Sequence, residues 1–382
     1  MASATARPIN SGASRLPVFP PSSVIAVLAC LPALAFATVD IRRQRRREHD
    51  RSGRPAVSCA LAELRVHQEN AVVTKLIFDC DPGVDDAVAL FMAFAAPQDL
   101  EILAITTVGG NVAADLTARN AAIIRQIAGR EDVPIHAGAK APLIRPPLDA
   151  GAFHGESGLG ALPLLAPTRG VDDGHAANVI VDLVMRHGPG EVTLAVTGPC
   201  TNLALAMRLE PDIIERLGLI VVMGGARREG GNVTASAEYN IWADPHAAEV
   251  VFSSGARCVV MGLDVTHQVR SDPARIAAIA AIDTPTAQAS ANLLAFSSAL
   301  ERDIVGGAGA PIHDPCVIAY ILAPELFTLR PCQLKVETSS RLTVGHTAVE
   351  FGLQDPAAAR IFWATHADAD GVFALLNELL AR

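Results

Sequence analysis

The chain lacks any C-x-x-C pair: its seven cysteines, Cys30, Cys59, Cys80, Cys200, Cys258, Cys316 and Cys332, are scattered and odd in number. That spacing excludes a zinc finger and a disulfide framework, and it fits a reducing compartment such as the cytoplasm. An excess of base is also missing. The formal charge is −9, and because ten arginines against five acids fall before Val73, the remainder holds 21 bases against 35 acids, or −14. An acidic body argues against general nucleic-acid binding and favours a cation or a neutral small molecule as partner. No internal repeat is visible, and beyond Val73 no linker is long enough to divide the chain. Half of the 382 residues are hydrophobic, enough to bury a large core.

Long apolar runs are absent apart from Ser23 to Val39, SVIAVLACLPALAFATV, which is broken by Pro32 and followed by Arg42, Arg43, Arg45, Arg46 and Arg47. This run is at the short limit for a membrane anchor, and the arginines would keep the following domain in the cytoplasm if it inserted. Residues 1–73 read instead as an Arg/Pro/Ser-rich extension, disordered or not part of the mature protein. The folded domain is expected over 74–382.

In that domain short β-rich runs alternate with longer helical ones. Residues 76–79, 101–108, 192–198, 219–225 and 258–264 read as buried strands. Residues 85–96, 115–128, 175–187, 201–209 and 244–254 have helical spacing. The alternation predicts an α/β fold, with a mostly parallel central sheet flanked by helices. Ligands of such sheets bind at the carboxyl ends of the strands, where Asp79, Asp81, Gly109 to Asn111, Thr197 to Asn202, Met223 and Asp264 should gather.

The most informative stretch is KLIFDCDPGVDDAVAL, Lys75 to Leu90, which places Asp79, Asp81, Asp85 and Asp86 within eight positions. An EF-hand would need glutamate at its twelfth place, and counting from Asp79 that place is Leu90. A magnesium-dependent haloacid-dehalogenase-type phosphatase also carries D-x-D after a strand, with the first aspartate as nucleophile, but continues Gly-Thr where this chain has Pro82-Gly83. A structural alternative has one or two of the acids capping a helix or making turns. The fuller reading is a site for a hard cation. Asp79 and Asp81 point the same way from an extended segment, Pro82-Gly83 turns the chain, and Asp85-Asp86 open a helix whose dipole favours negative charge. Oxygen donors without histidine or cysteine select calcium or magnesium over zinc.

D-x-D-P-G-x-D-D after the first strand resembles the signature of the inosine/uridine-preferring nucleoside hydrolases, which are ribonucleoside N-glycosidases. Further blocks follow in that family's order: TTVGGNV, FHGESGLG, TGPCTNLA, VMGG, AEYNIWADP, LDVT and HDP. The resemblance implies a Rossmann-like fold, calcium-dependent hydrolysis of ribonucleosides to free base and ribose in nucleoside salvage or catabolism, and a homo-oligomer, dimer or tetramer.

The same resemblance implies roles residue by residue. Asp81, Asp86, the Thr201 carbonyl and Asp314 would hold Ca2+, with Asp79 positioning them. Asp85 would take the proton of the attacking water and His313 would protonate the departing base. Asn111, Glu238 and Asn240 would read the sugar hydroxyls, Met223 would lie against the sugar, and His154 would approach the base. Both histidines are present, and neither Trp242 nor Trp363 stands at an obvious base-facing place, which points to the less selective or pyrimidine-tolerant branch. A chain that kept the calcium site as a binding protein without turnover is the non-enzymatic alternative. Residues 285–312 should form a helix and a Gly-rich loop leading into His313. On that segment Phe296 is expected in the helix core and Arg302 in solvent.

Overall fold

Apolar residues occupy both faces of the first strand because both faces are covered. The computed structural model describes residues 73–147, 154–155, 157–163, 165–307 and 309–382, so the expectations for 1–72, including the apolar run at 23–39, lie outside the described residues. The first half runs β1 (Thr74–Cys80), α1 (Val84–Phe94), β2 (Leu100–Thr107), α2 (Ala114–Ile127), β3 (Ile135–Ala137), α3 (Ala176–Arg186), β4 (Val192–Val196), α4 (Thr201–Leu209), α5 (Ile213–Arg216) and β5 (Leu219–Met223). Next come α6 (Tyr239–Ala243), α7 (Pro245–Phe252), β6 (Cys258–Met261), α8 (Leu263–Thr266), β7 (Arg270–Ser271), α9 (Pro273–Ala280), α10 (Pro285–Val305), β8 (Ala310–Pro311) and α11 (Pro315–Leu322). The chain closes with β9 (Phe327–Val336), β10 (Thr347–Glu350), β11 (Ile361–Ala367) and α12 (Ala369–Leu380).

Nine strands form one sheet in the order β10-β9-β11-β6-β5-β4-β1-β2-β3. From β3 across to β11 every pairing is parallel, while β9 runs antiparallel to β11 and β10 to β9. The sheet is therefore mostly parallel and flanked by helices, as the alternation predicts. Along β1, Leu76 and Phe78 face the core built with α1, α10, α11 and α12, while Ile77 faces the one built with α3, α4 and α7. Covering on both sides is why these strands are apolar throughout rather than alternating.

The chain leaves β1 towards β2 and β3 on one side, then returns to lay β4, β5 and β6 on the other. The order reverses between β1 and β4, and a sheet of this kind opens a crevice at the carboxyl ends of its strands there. Thr197 N–H donates to the Asp79 carbonyl across that gap at 2.9 Å, so the two strand ends stay in register as they enter the crevice.

Two local expectations change. The strand expected over 258–264 ends at Met261, because Gly262 turns the chain into α8. Asp264 therefore sits in a short helix, where its carboxylate accepts the Arg227 and Arg228 N–H groups at 2.7 and 2.8 Å and does not join the acidic cluster. Residues 285–305 are helical as expected, with Phe296 half-buried against the core and Arg302 exposed. No helix among the described residues is long and apolar enough to cross a membrane, and the five described cysteines are free and buried.

Candidate active site

The strand-end aspartates are held in the fold by polar neighbours on β2, α4 and the loop after β2. Asp79, at the end of β1, is fully buried, and its Oδ1 accepts from Thr106 Oγ1 at 2.6 Å and Asn202 Nδ2 at 2.8 Å. Asn202 continues to the Thr107 carbonyl and the Ala139 N–H, so Asp79 ties β1, β2 and α4 together. A carboxylate used this way is a brace, although its Oδ2, like Oδ1 of Asp81, is buried with no hydrogen-bond partner among the described residues.

Asp81 lies in a cradle made of backbone. Its Oδ2 accepts the Asn111 N–H at 2.7 Å, while Oδ1 is buried with no hydrogen-bond partner among the described residues. A methyl group on Gly110 would collide with Oδ2, and one on Gly198 would come within 2.6 Å of Oδ1. Both glycines are therefore required by close approach. Asp86, in the first turn of α1, uses Oδ2 for the Gly83 N–H at 2.9 Å and Asn111 Nδ2 at 3.1 Å, and Oδ1 for Thr197 Oγ1 at 2.8 Å.

Asp314 precedes α11 and shares a hydrogen bond with Asp86. Oxygens of Asp85, Asp86 and Asp314 lie within 4.8 Å of one another, Asp85 being half-buried and the other two buried. Burial raises the Asp86 carboxyl to about 7, with the charge of Asp85 adding to it. Burial first and repulsion by neighbouring aspartates second push Asp81 and Asp314 well above the usual carboxylate range. Burial alone carries Asp79 to about 7 against its two hydrogen bonds. Carboxyls this crowded resist carrying their charges together unless a cation joins them. An orphaned oxygen on Asp81 and an all-oxygen donor set both fit a hard divalent ion.

Thr201 is the one proposed ligand that the fold directs elsewhere. Its hydroxyl donates to Asp244 Oδ2 at 2.8 Å, and its carbonyl belongs to the first turn of α4, where the helix ladder uses it. Four residues earlier, Thr197 bonds Asp86 through its hydroxyl, and its carbonyl faces Asn240 Nδ2 at 2.7 Å. TGPCTN holds both threonines. Only the strand end, where β4 stops at Val196, separates the one at the crevice from the one in the helix.

The expected sugar-reading residues surround this centre. Asn111 Nδ2 donates to the Asp81 carbonyl and to Asp86, both at 3.1 Å. Glu238, 2 % exposed, caps α6 by accepting the Asn240 and Ile241 N–H groups, and also takes the Gly225 N–H at 2.9 Å. Burial raises its carboxyl. Met223 is a core residue of β5 whose Sδ lies 3.4 Å from Asn240 Nδ2.

His154 Nδ1 accepts the Val84 N–H at 3.2 Å, which leaves the ring proton on Nε2; burial lowers its pKa. His313 Nδ1 is 2.9 Å from Thr266 Oγ1 on α8, and burial pushes His313 down to about 4 although Asp85 pulls the other way. Trp363 is fully buried in β11, and Trp242 is stacked beneath Arg145 at 4.5 Å, so neither is a free face for a base. Thr106 and Thr266 are neighbours of the site that the sequence did not single out, whereas Thr197 and Asn202 fall in the stretch expected at the strand ends. All four lie in or beside the matching blocks.

Carboxylates that could hold a cation, with amides and two histidines beside them at a switch point, are the groups a metal-assisted hydrolase needs. The family model for inosine-uridine preferring nucleoside hydrolase matches residues 76–374, and the chain belongs to that family of N-glycosyl hydrolases. It is 40% identical over 309 residues to the inosine-uridine preferring nucleoside hydrolase of Crithidia fasciculata, covering 81% of this chain and 98% of the relative. The pyrimidine-specific ribonucleoside hydrolase RihA of Shewanella oneidensis is 43% identical over 277 residues, 72% of this chain and 86% of its own. Among solved structures, a plant nucleoside hydrolase superposes with a TM-score of 0.76 at 30% identity, covering 81% of this chain and 99% of the other. The purine-preferring ribonucleoside hydrolase of Gardnerella vaginalis gives 0.75 at 29% identity, with the same coverage of each chain.

Proposed function

We propose that this enzyme hydrolyses the N-glycosidic bond of ribonucleosides with calcium as its cation, releasing free base and ribose. The observation that carries the reading is the convergence of Asp85, Asp86 and Asp314; Asp81 stands outside that trio, is repelled by the charges of Asp86 and Asp85, and keeps a buried oxygen without a partner among the described residues. Asp81, Asp86 and Asp314 through their carboxylates, and Thr197 through its carbonyl, are the groups that hold the ion; an oxygen-only set suits calcium. Calcium held there would supply the positive charge that makes a neighbouring water easier to deprotonate. Thr197 takes the place first assigned to Thr201, since its own hydroxyl bonds Asp86 in the cluster whereas that of Thr201 turns to Asp244.

Asp85 is the half-buried member of the trio, and takes the proton of the attacking water. Both amide hydrogens of Asn111 are committed, to the Asp81 carbonyl and to Asp86, which leaves its Oδ1 to accept from a sugar hydroxyl. Glu238 and Asn240 read the 5′- and 3′-hydroxyls. A pocket whose polar groups are each matched to a hydroxyl rejects a sugar that lacks one, because its own groups would be left unpaired. His313, held largely neutral by burial, presents one ring N–H to the departing base when Thr266 donates to its Nδ1. His154 presents Nε2–H beside it.

Two histidines and no free tryptophan face favour inosine/uridine-type specificity over stacking-based purine selection. Buried, reduced thiols fit a cytoplasmic enzyme of nucleoside salvage or catabolism. Two measurements test the reading. Calorimetric calcium titration should show binding by the wild type and its loss in Asp314→Asn. Turnover of uridine should exceed that of 2′-deoxyuridine by about 100-fold or more. Equal turnover of the two sugars, or undiminished calcium binding by Asp314→Asn, would contradict it.

A further inference from the structure

We propose that Asn120 is a positioning residue that straps the loop carrying His154 to the Asp81–Asp86 turn. The inference rests on the hydrolase reading of the site. Asn120 belongs to α2, outside every matching sequence block, and is 1 % exposed. Its Nδ2 donates to the Pro82 carbonyl at 3.0 Å and to the Ser157 carbonyl at 2.8 Å. Carbonyl oxygens only accept, so both contacts demand the nitrogen, and an amide supplies two N–H groups from that one atom.

The two bonded carbonyls belong to different parts of the site. Pro82 follows Asp81 and begins the turn into α1; Ser157 comes three residues after His154. The loop also meets the turn where the Val84 N–H reaches His154 Nδ1 at 3.2 Å. A single hydrogen bond leaves a loop free to pivot about it. A second one, three residues away and directed to the same turn, fixes how the His154 ring lies over the site. Gly158 shows how tight the strap is: its φ is +86°, and a methyl group there would come within 2.6 Å of Asn120 Nδ2. The loop backbone therefore lies directly against the amide.

Because Val84 donates to Nδ1, the only ring proton His154 has to offer is on Nε2, and its direction follows the loop. Loss of the strap should misdirect that N–H while leaving the carboxylates, which have their own partners, in place. Asn120→Leu keeps the branched shape, with bulkier methyl groups, and removes both donors; Asn120→Asp keeps the size and turns acceptors towards two carbonyls.

The test is a double-mutant cycle with His154→Ala, reading kcat and KM for inosine beside calcium affinity and thermal midpoint. Asn120→Leu is expected to lower kcat/KM about ten- to thirtyfold in the wild-type background. In the His154→Ala background the same change should cost less than about threefold, since neighbours that act as a unit are not additive. Calcium affinity should stay within about threefold of wild type. Should Asn120→Leu fail to fold, Gly158→Ala disturbs the same contact from the loop side and is expected to show the same coupling. Additive losses, or an unchanged kcat/KM in folded Asn120→Leu, would overturn the strap while leaving the hydrolase reading intact. A wild type that releases no ribose would overturn both.

Discussion

At the scale of single residues the proposed mechanism separates charge that must be neutralised from charge that must react. Asp79, Asp81, Asp86 and Asp314 are buried and hydrogen-bonded or orphaned, while Asp85 beside them keeps partial access. Replacing Asp85 by Asn removes a proton acceptor with little change of shape. Turnover should fall about 100- to 10,000-fold, with calcium binding retained. Loss of binding together with activity would mean that Asp85 holds the ion rather than the proton. Thr266→Val tests the partner of His313. Deleting one hydroxyl of that bond should cost about tenfold in kcat/KM, most on substrates whose base departs poorly. An unchanged rate would show that the His313 ring is oriented by packing alone.

At the scale of elements, the cation position depends on three strand ends that stop where they should: β1 before Asp81, β2 before Gly110 and β4 before Gly198. Gly110→Ala puts a methyl group into Asp81 Oδ2, with the Pro199 ring at 3.0 Å on the same side, so the carboxylate must turn away from its place. Calcium affinity should drop at least about tenfold, with the thermal midpoint of the chelated protein changed far less. Equal losses in both would indicate damage to the sheet instead. Much of this was legible in the sequence. Strands buried on both faces announce themselves as apolar runs, and DCDPGVDD has no economical structural explanation. β9, β10 and β11 were not legible: β9 alternates buried and exposed residues in an antiparallel corner of the sheet, a weaker signal than a continuous run. Which threonine of TGPCTN faces the crevice was not legible, because a motif gives the order of residues but not where the strand hands over to the helix. Asn120 carried no sequence signal, since a polar residue on a helix face reads as solvated until a loop folds over it.

At the scale of the whole molecule, the proposed calcium site makes protons and the cation competitors for one cluster. Asp79 and Asp86 stand near 7 in the folded chain, raised above the roughly 4 of an unfolded carboxyl. Between those values the folded state binds more protons than the unfolded one, so their contribution to stability falls as pH rises from about 4 to about 7. A cation binding there displaces the protons, so its affinity rises across the same window. The gap in thermal midpoint between calcium-loaded and chelated protein should therefore widen from pH 5 to 7.5. At a hundredfold excess of calcium over its dissociation constant the ion contributes about 2.7 kcal/mol. A gap that stays constant with pH would mean the carboxyls do not exchange protons for the ion.

The most direct measurement is reducing-sugar release from uridine, cytidine, inosine and adenosine by the purified chain and by Asp85→Asn, first with a chelator and then with calcium restored. Release that stops with the chelator, returns with calcium and is lost in Asp85→Asn is the expected result, and it ranks the bases at the same time. Folded, calcium-loaded protein that releases ribose from none of them, or Asp85→Asn that matches the wild type, would contradict the assignment.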